Sequence, residues 1–243
     1  MPYLGYFQAI ATVDKYILYE NLTFIKDAWM NRNKLMLNNG LLSMFSVPLS
    51  AKSSNLYIRE VKIDNTQKWS EKLLKTIYLN YKKAVCFEET YQLLEKLLQK
   101  KYEYLYQLNA YTIVSISRHL GIQTEIVFDN NSYLALEEKL EHKDYSLLPY
   151  LNKTTPEKKT ARVIAMCKME NADIFINAIG GLELYSKEEF AQYGINLKFI
   201  KMNSDIVYPQ FSKKFVPNLT ILDVMMFNSV EEISKMLDKY ELI

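Results

Sequence analysis

The chain contains 243 residues, of which 49% are hydrophobic and 24% are charged. A chain of this length and composition can bury a full core, which excludes global disorder and predicts a single domain over residues 1–243. Its 30 basic residues nearly balance 28 acidic ones, so the overall charge favours neither a nucleic-acid partner nor a membrane face, and any anion site must be local.

Cysteine, histidine and hydropathy patterns exclude further classes. Cys86 and Cys167 lie far apart among apolar neighbours, which predicts reduced thiols rather than a disulfide framework. With two histidines and no Cys-x-x-Cys motif, we predict no metal site. No signal sequence opens the chain and no apolar run approaches the roughly 18 residues of a membrane span, which predicts a cytoplasmic protein.

The first predicted elements lead into the most polar stretch of the chain. Apolar residues at helical spacing around Phe7 predict a helix. Residues 14–19 predict a strand, with Glu20 and Asn21 as polar residues at its end.

The stretch that follows is a candidate phosphate site. It carries Asn31, Arg32 and Asn33, with Lys34 beside them and Trp29 nearby. An arginine between two amides can bind a diphosphate through charge-assisted hydrogen bonds, while the indole stacks on a ring. The alternative is a solvated basic turn without a ligand.

The middle of the chain changes from strand to helical periodicity. Residues 45–49 and 57–63 predict strands, and the apolar spacing over 67–120 predicts an inserted helical layer. Gly121 is expected to end the last of these helices. The polar segment 129–160, with its prolines and clustered lysines, predicts a mobile excursion or lid.

The segment 161–200 predicts the centre of the fold. It reads as a helix, a strand at 173–176, the pair Gly180-Gly181, a helix capped by Ser186, and another strand. This order is typical of a βαβ unit. The sequence therefore predicts an α/β fold with a largely parallel, Rossmann-like sheet.

The glycine pair is a second candidate site. Gly180 and Gly181 allow a backbone with positive φ or the close approach of a ligand, and Asn177 and Tyr185 add polar groups on either side. Strand ends with free backbone N–H groups are where α/β proteins bind ligands. The alternative is a tight strand-to-helix turn without a ligand.

A third polar cluster lies in the last quarter of the chain. It contains Tyr208 and Gln210, followed by Asp223. Asn218 or Thr220 is expected to cap a helix that contains Asp223, and an amphipathic helix is predicted to follow it.

These motifs together resemble the WbqC-like family of bacterial polysaccharide gene clusters. They occur in order over nearly the whole chain: Asn31-Arg32-Asn33, Phe175-Ile176-Asn177 with Gly180-Gly181 and Leu184-Tyr185, Tyr208-Pro209-Gln210, and Pro217 to Asp223 with Asn228. The resemblance implies a cytosolic enzyme that transfers an acyl or aminoacyl group to an amino sugar of an O-antigen or similar glycan. Family members usually have a further strand before Gly-Tyr-Phe, and Asp-Asp where Glu20-Asn21 stands here.

The residue chemistry favours direct attack by the substrate amine. No Ser-His-Asp or Cys-His arrangement is evident, which argues against a covalent enzyme intermediate. Asp223 or Glu20 is expected to accept the amine proton, while Asn177 and the amides near Gly181 face the reacting carbonyl. We expect no cofactor in the protein and an acyl donor such as acyl-CoA or a carrier-bound aminoacyl group.

We expect the separated polar clusters to form one shared site that also binds the nucleotide-linked amino sugar. Arg32 with its flanking amides and Lys34 would bind its phosphates, and Tyr208 and Gln210 would orient the sugar, since loops at the carboxyl ends of parallel strands meet at one sheet edge. A non-catalytic glycan-binding or assembly protein is one alternative, and an ATP-dependent amide ligase related to nucleotidylyl transferases is another. The oligomeric state is left open, a homo-oligomer included.

Overall fold

The computed structural model describes residues 1–51, 55–142 and 157–243. They divide into two compact units: Met1–Phe128 with Ser204–Lys239, and Asp129–Asn203 with Tyr240–Ile243. The sequence predicts that both units belong to a single domain, and this expectation stays a prediction. Residues 143–156 of the predicted excursion over 129–160 lie outside the described residues.

The first unit contains most of the helices. Its elements are α1 (Leu4–Ala11), β1 (Lys15–Ile17), β2 (Arg32–Met36), β3 (Leu42–Ser46), α2 (Trp69–Tyr81), α3 (Phe87–Gln99), α4 (Leu105–His119), β4 (Glu125–Val127), α8 (Ile221–Phe227) and α9 (Val230–Leu237). β1 pairs with β4 in parallel, and β2 pairs with β3 in antiparallel orientation. One cluster of its core is formed by Phe24, Val47, Val61, Ile63, Tyr102, Leu105 and Leu108.

Helices α2, α3 and α4 occupy the predicted helical layer over 67–120. They form because aliphatic residues recur at helical spacing and one stripe of each helix is buried. Gly121 follows α4 with a φ of +74°, a left-handed conformation that glycine adopts without a steric penalty. The predicted end of this helix is therefore confirmed.

The second unit contains the predicted βαβ arrangement. Its elements are α5 (Leu134–Glu141), α6 (Lys158–Met169), β5 (Ile174–Ala178), α7 (Lys187–Ala191), β6 (Asn196–Met202) and β7 (Tyr240–Leu242). β5 and β6 pair in parallel, and β7 adds an antiparallel strand beside β6. Ser186 caps α7 as predicted, because its hydroxyl accepts a hydrogen bond from the backbone N–H of Glu189.

The fold is mixed α/β, but the predicted Rossmann-like sheet is not confirmed. Among the described residues the strands form three small sheets, of two, two and three strands. The run 57–63 alternates like a strand, yet it contains a 3₁₀ turn at Ile58–Glu60 and makes only isolated bridges. Within the described ranges, no helix combines the length and apolarity needed to cross a lipid bilayer.

Candidate functional site

The first unit encloses a carboxyl group in its core. Asp223 lies in the first turn of α8, whose sequence Ile-Leu-Asp-Val-Met-Met is otherwise apolar and buried. The Asp223 side chain is fully buried. The hydroxyl of Tyr81 donates to its Oδ1 at 2.7 Å, and the hydroxyl of Tyr208 donates to its Oδ2 at 3.0 Å. Burial raises the pKa of Asp223, and the two hydrogen bonds oppose that rise.

Both tyrosines are held as neutral donors. Burial and the neighbouring Asp223 keep the pKa values of Tyr81 and Tyr208 far above that of a solvated phenol. The Tyr81 oxygen also accepts the backbone N–H of Met36 on β2, at 3.1 Å. Tyr208 is only half-buried, so it is the member of the group that lies nearest to solvent.

Gln210 closes the loop that carries Tyr208. Its side-chain amide donates to the carbonyl of Val216 at 3.0 Å and accepts the N–H of the same residue at 2.9 Å. A further hydrogen bond joins Gln210 to Tyr208. We refer to Tyr81, Tyr208, Gln210 and Asp223 as the buried network.

Sequence reasoning assigned Tyr81 only to the helical layer. It ends α2, whose other buried positions are the aliphatic residues Leu73, Leu74 and Ile77. A buried hydroxyl needs a hydrogen-bond partner. The presence of a tyrosine on an otherwise aliphatic helical stripe was therefore the one sequence signal that could have singled out Tyr81.

The amides of the Asn-Arg-Asn motif bind main-chain groups. The side chain of Asn31 donates to the carbonyl of Val47 at 2.9 Å. The side chain of Asn33 donates to the carbonyl of Met1 at 2.7 Å and accepts the N–H of Lys34 at 2.8 Å. These bonds position β2, and phosphate binding by the two amides stays a prediction.

Trp29, Arg32 and Lys34 lie together at the surface and we call them the cationic edge. Trp29 is exposed, whereas Arg32 and Lys34 are half-buried. The indole of Trp29 is 61% exposed. The guanidinium of Arg32 and the ammonium of Lys34 lie 5.9 and 5.5 Å from its ring centroid. Arg32 also binds the carboxylate of Asp27 at 3.3 Å and the carbonyl of the same residue.

Strand β2 joins the cationic edge to the buried network. Arg32 and Lys34 lie on the strand, and two residues after Lys34 the N–H of Met36 binds Tyr81. A second connection runs through Met1, whose carbonyl accepts hydrogen bonds from both Asn33 and Thr220. Thr220 occupies the N-cap position of α8 as predicted, but its hydroxyl makes this contact instead of a capping bond.

The polar pair after β1 is also buried. Glu20 and Asn21 are 7% and 4% exposed. Arg59 donates from its guanidinium to the Oδ1 of Asn21 at 2.9 Å and from its backbone N–H to the carbonyl of Glu20 at 3.2 Å. The proton-accepting role of Glu20 stays a prediction.

The glycine motif belongs to the second unit, and its geometry corrects one expectation. Gly180 and Gly181 form a 3₁₀ turn and neither has positive φ. The side-chain amide of Asn177 lies close to Gly181, and a Cβ at position 181 would force that amide to shift. The Asn177 oxygen accepts the N–H of Ala178 at 2.9 Å, and Tyr185 packs edge-on against core aromatic rings. A site shared with Arg32 and Asp223 stays a prediction.

Comparison with known proteins identifies a family that matches nearly the whole chain. The model of the WbqC-like protein family matches residues 1–235. The uncharacterized protein Rv1507c of Mycobacterium tuberculosis is 27% identical over 227 residues, which cover 93% of this chain and 88% of that protein. No solved structure matches. The chain belongs to the WbqC-like protein family.

Proposed function

We propose that this protein transfers an acyl or aminoacyl group to the amine of a nucleotide-linked amino sugar in bacterial surface polysaccharide biosynthesis, in the cytoplasm. The observation that carries the proposal is that β2 bears the two cations of the cationic edge and, through Met36, also binds the buried network. A phosphate-binding surface and a proton-accepting group thus lie on elements joined by direct hydrogen bonds.

The cationic edge supplies the contacts for a phosphate-bearing substrate, either the nucleotide-linked sugar or a coenzyme A donor. Charge-assisted hydrogen bonds from Arg32 and Lys34 favour phosphate oxygens, and the exposed indole of Trp29 favours a planar ring. The exposed carboxylate of Asp27 already binds Arg32, so a bound phosphate would take the place of that carboxylate.

The buried network supplies the proton acceptor. The amine attacks the acyl carbonyl of a thioester, a C–N bond forms, the C–S bond breaks and the thiolate leaves. Tyr208 accepts the amine proton as its own hydroxyl proton passes to the Oδ2 of Asp223, along the existing 3.0 Å hydrogen bond. Burial favours this transfer because it raises the pKa of Asp223.

The test is a direct assay of acyl transfer. The full chain is incubated with a nucleotide-linked amino sugar and acetyl-CoA, and mass spectrometry follows the mass of the sugar product. Gain of one acyl group is expected, and Tyr208→Phe should lower the rate by about 10² to 10⁴ while substrate binding is kept. Binding of the sugar without any mass change would favour the glycan-binding alternative, and turnover only with ATP and release of pyrophosphate would favour the amide ligase.

A further inference from the structure

One face of the β2–β3 hairpin points apolar side chains into solvent. In the antiparallel register Arg32 lies opposite Ser46 and Lys34 lies opposite Met44, so these four side chains share a face. Leu42 lies on the same face, two residues from Met44 and opposite Met36, whose side chain is fully buried. Leu42 is 44% exposed and Met44 is 49% exposed. Met36 is covered, and we call the other five residues of this face, Arg32, Lys34, Leu42, Met44 and Ser46, the hairpin face.

The hairpin face is polar at one end and apolar at the other. Its charged end coincides with the cationic edge, where Trp29 adds an exposed indole. The distance along the strand from Ser46 to Leu42 is roughly 13 Å. Leu42 and Met44 therefore place two partly exposed apolar side chains directly beside the charged groups.

We propose that the hairpin face binds the acyl donor of the proposed reaction, a coenzyme A thioester. The phosphates bind Arg32 and Lys34 and the adenine ring stacks on Trp29. The pantetheine arm folds back so that the acyl chain lies along Met44 and Leu42, beside the phosphates. The inference rests on the proposed function, and it assigns the cationic edge to the donor instead of the nucleotide-linked sugar.

The apolar end of the face distinguishes the donor from the sugar. Sugar hydroxyls that leave water need hydrogen-bond partners, and the side chains of Met44 and Leu42 offer none. An acyl chain needs no such partner and is stabilised by each methylene that it buries.

The proposal is tested by calorimetric titration of the full chain with coenzyme A and with octanoyl-CoA. Octanoyl-CoA should bind at least tenfold more tightly than coenzyme A. The double variant Leu42→Ser/Met44→Ser should reduce this preference to less than threefold and leave the affinity for coenzyme A within twofold. Lys34→Ala should weaken both ligands by the same factor, about tenfold.

A matched control removes two exposed aliphatic side chains elsewhere. Leu79 and Val85 are 49% and 88% exposed at the end of α2 and in the turn after it, and Leu79→Ser/Val85→Ser should leave both affinities unchanged. Circular dichroism verifies that each variant is folded.

Several results would overturn the assignment. Equal binding of coenzyme A and octanoyl-CoA, or an unchanged preference in Leu42→Ser/Met44→Ser, would refute the acyl-chain contact. If Leu42→Ser/Met44→Ser keeps the preference for octanoyl-CoA but loses self-association, the face binds a second copy of the chain. If the variant keeps that preference but loses binding to phosphatidylglycerol vesicles, the face binds a membrane. If Lys34→Ala weakens a nucleotide-linked amino sugar but not coenzyme A, the donor assignment is wrong and the proposed function still stands. Failure of the proposed function would be seen in a different measurement: both substrates would bind, but no acyl group would be transferred in the mass-spectrometric assay.

Discussion

Replacing Tyr81 with phenylalanine removes one oxygen atom from the buried network. The aromatic ring stays, and with it the packing against Phe211 and Phe227 at centroid distances of 5.6 and 6.2 Å. Two hydrogen bonds are lost: the one donated to Asp223 at 2.7 Å and the one accepted from the N–H of Met36 at 3.1 Å. The substitution therefore isolates the polar contribution of the hydroxyl.

The size of the effect follows from these two contacts. A hydrogen bond to a carboxylate contributes about 1.5–3 kcal/mol, and a buried N–H that loses its partner costs about 1–3 kcal/mol. Asp223 is fully buried, so water cannot replace the lost donor without entering the core. We expect Tyr81→Phe to lower the free energy of unfolding by about 3–5 kcal/mol.

Urea denaturation followed by circular dichroism measures this loss. Tyr78→Phe is the matched control, because Tyr78 lies one turn earlier on α2 and is 46% exposed. It should change the free energy of unfolding by less than about 0.5 kcal/mol. If Tyr81→Phe were no more destabilising than this control, the hydroxyl of Tyr81 would not hold Asp223 and the network would not be a structural unit.

Three further predictions concern charge, thiols and pH. Arg32→Ala should weaken binding of the phosphate-bearing substrate about ten- to a hundredfold in calorimetry, because a charge-assisted contact contributes about 1.5–3 kcal/mol, with little change in melting temperature. The double variant Cys86→Ser/Cys167→Ser should keep its turnover in the acyl-transfer assay, since burial raises the pKa of both thiols, that of Cys167 to about 11; a folded but inactive variant would contradict direct attack by the amine. The folded-state pKa of Asp223 lies above its unfolded value, so wild-type stability should fall as pH rises from about 4 through the folded pKa. Asp223→Asn should not show this fall in denaturation curves measured across pH, and parallel curves for the two proteins would contradict it.

Local signals in the sequence located the ends of several elements. The Ser186 cap with its bond to the N–H of Glu189, and Gly121 after α4 with a φ of +74°, are found where the sequence predicts them. Each depends on the conformation of a few adjacent residues, which the chemistry of those residues largely determines.

Strand pairing was predicted less well. The parallel pairing of β5 with β6 follows from the helix-strand-turn-helix-strand order, because such a crossover leaves few other arrangements. The alternating run 57–63 gave no such constraint, and in the structure it bridges to Thr23, Leu49 and Tyr104 without joining a ladder. Alternation reports that a segment has two faces; it does not report whether a partner strand is available.

The candidate sites also contain some features that depend on neighbouring residues and others that depend on contacts between distant parts of the chain. The sequence by itself placed Trp29, Arg32 and Lys34 in one short polar stretch, and the structure brings the two cations over the indole ring. Only the tertiary structure decided that Asp223 meets Tyr81, which is 142 positions away, and that Gly181 packs against the side-chain amide of Asn177 without positive φ. Backbone conformation depends on neighbours along the chain, whereas the partner of a buried polar group depends on which distant elements pack against it.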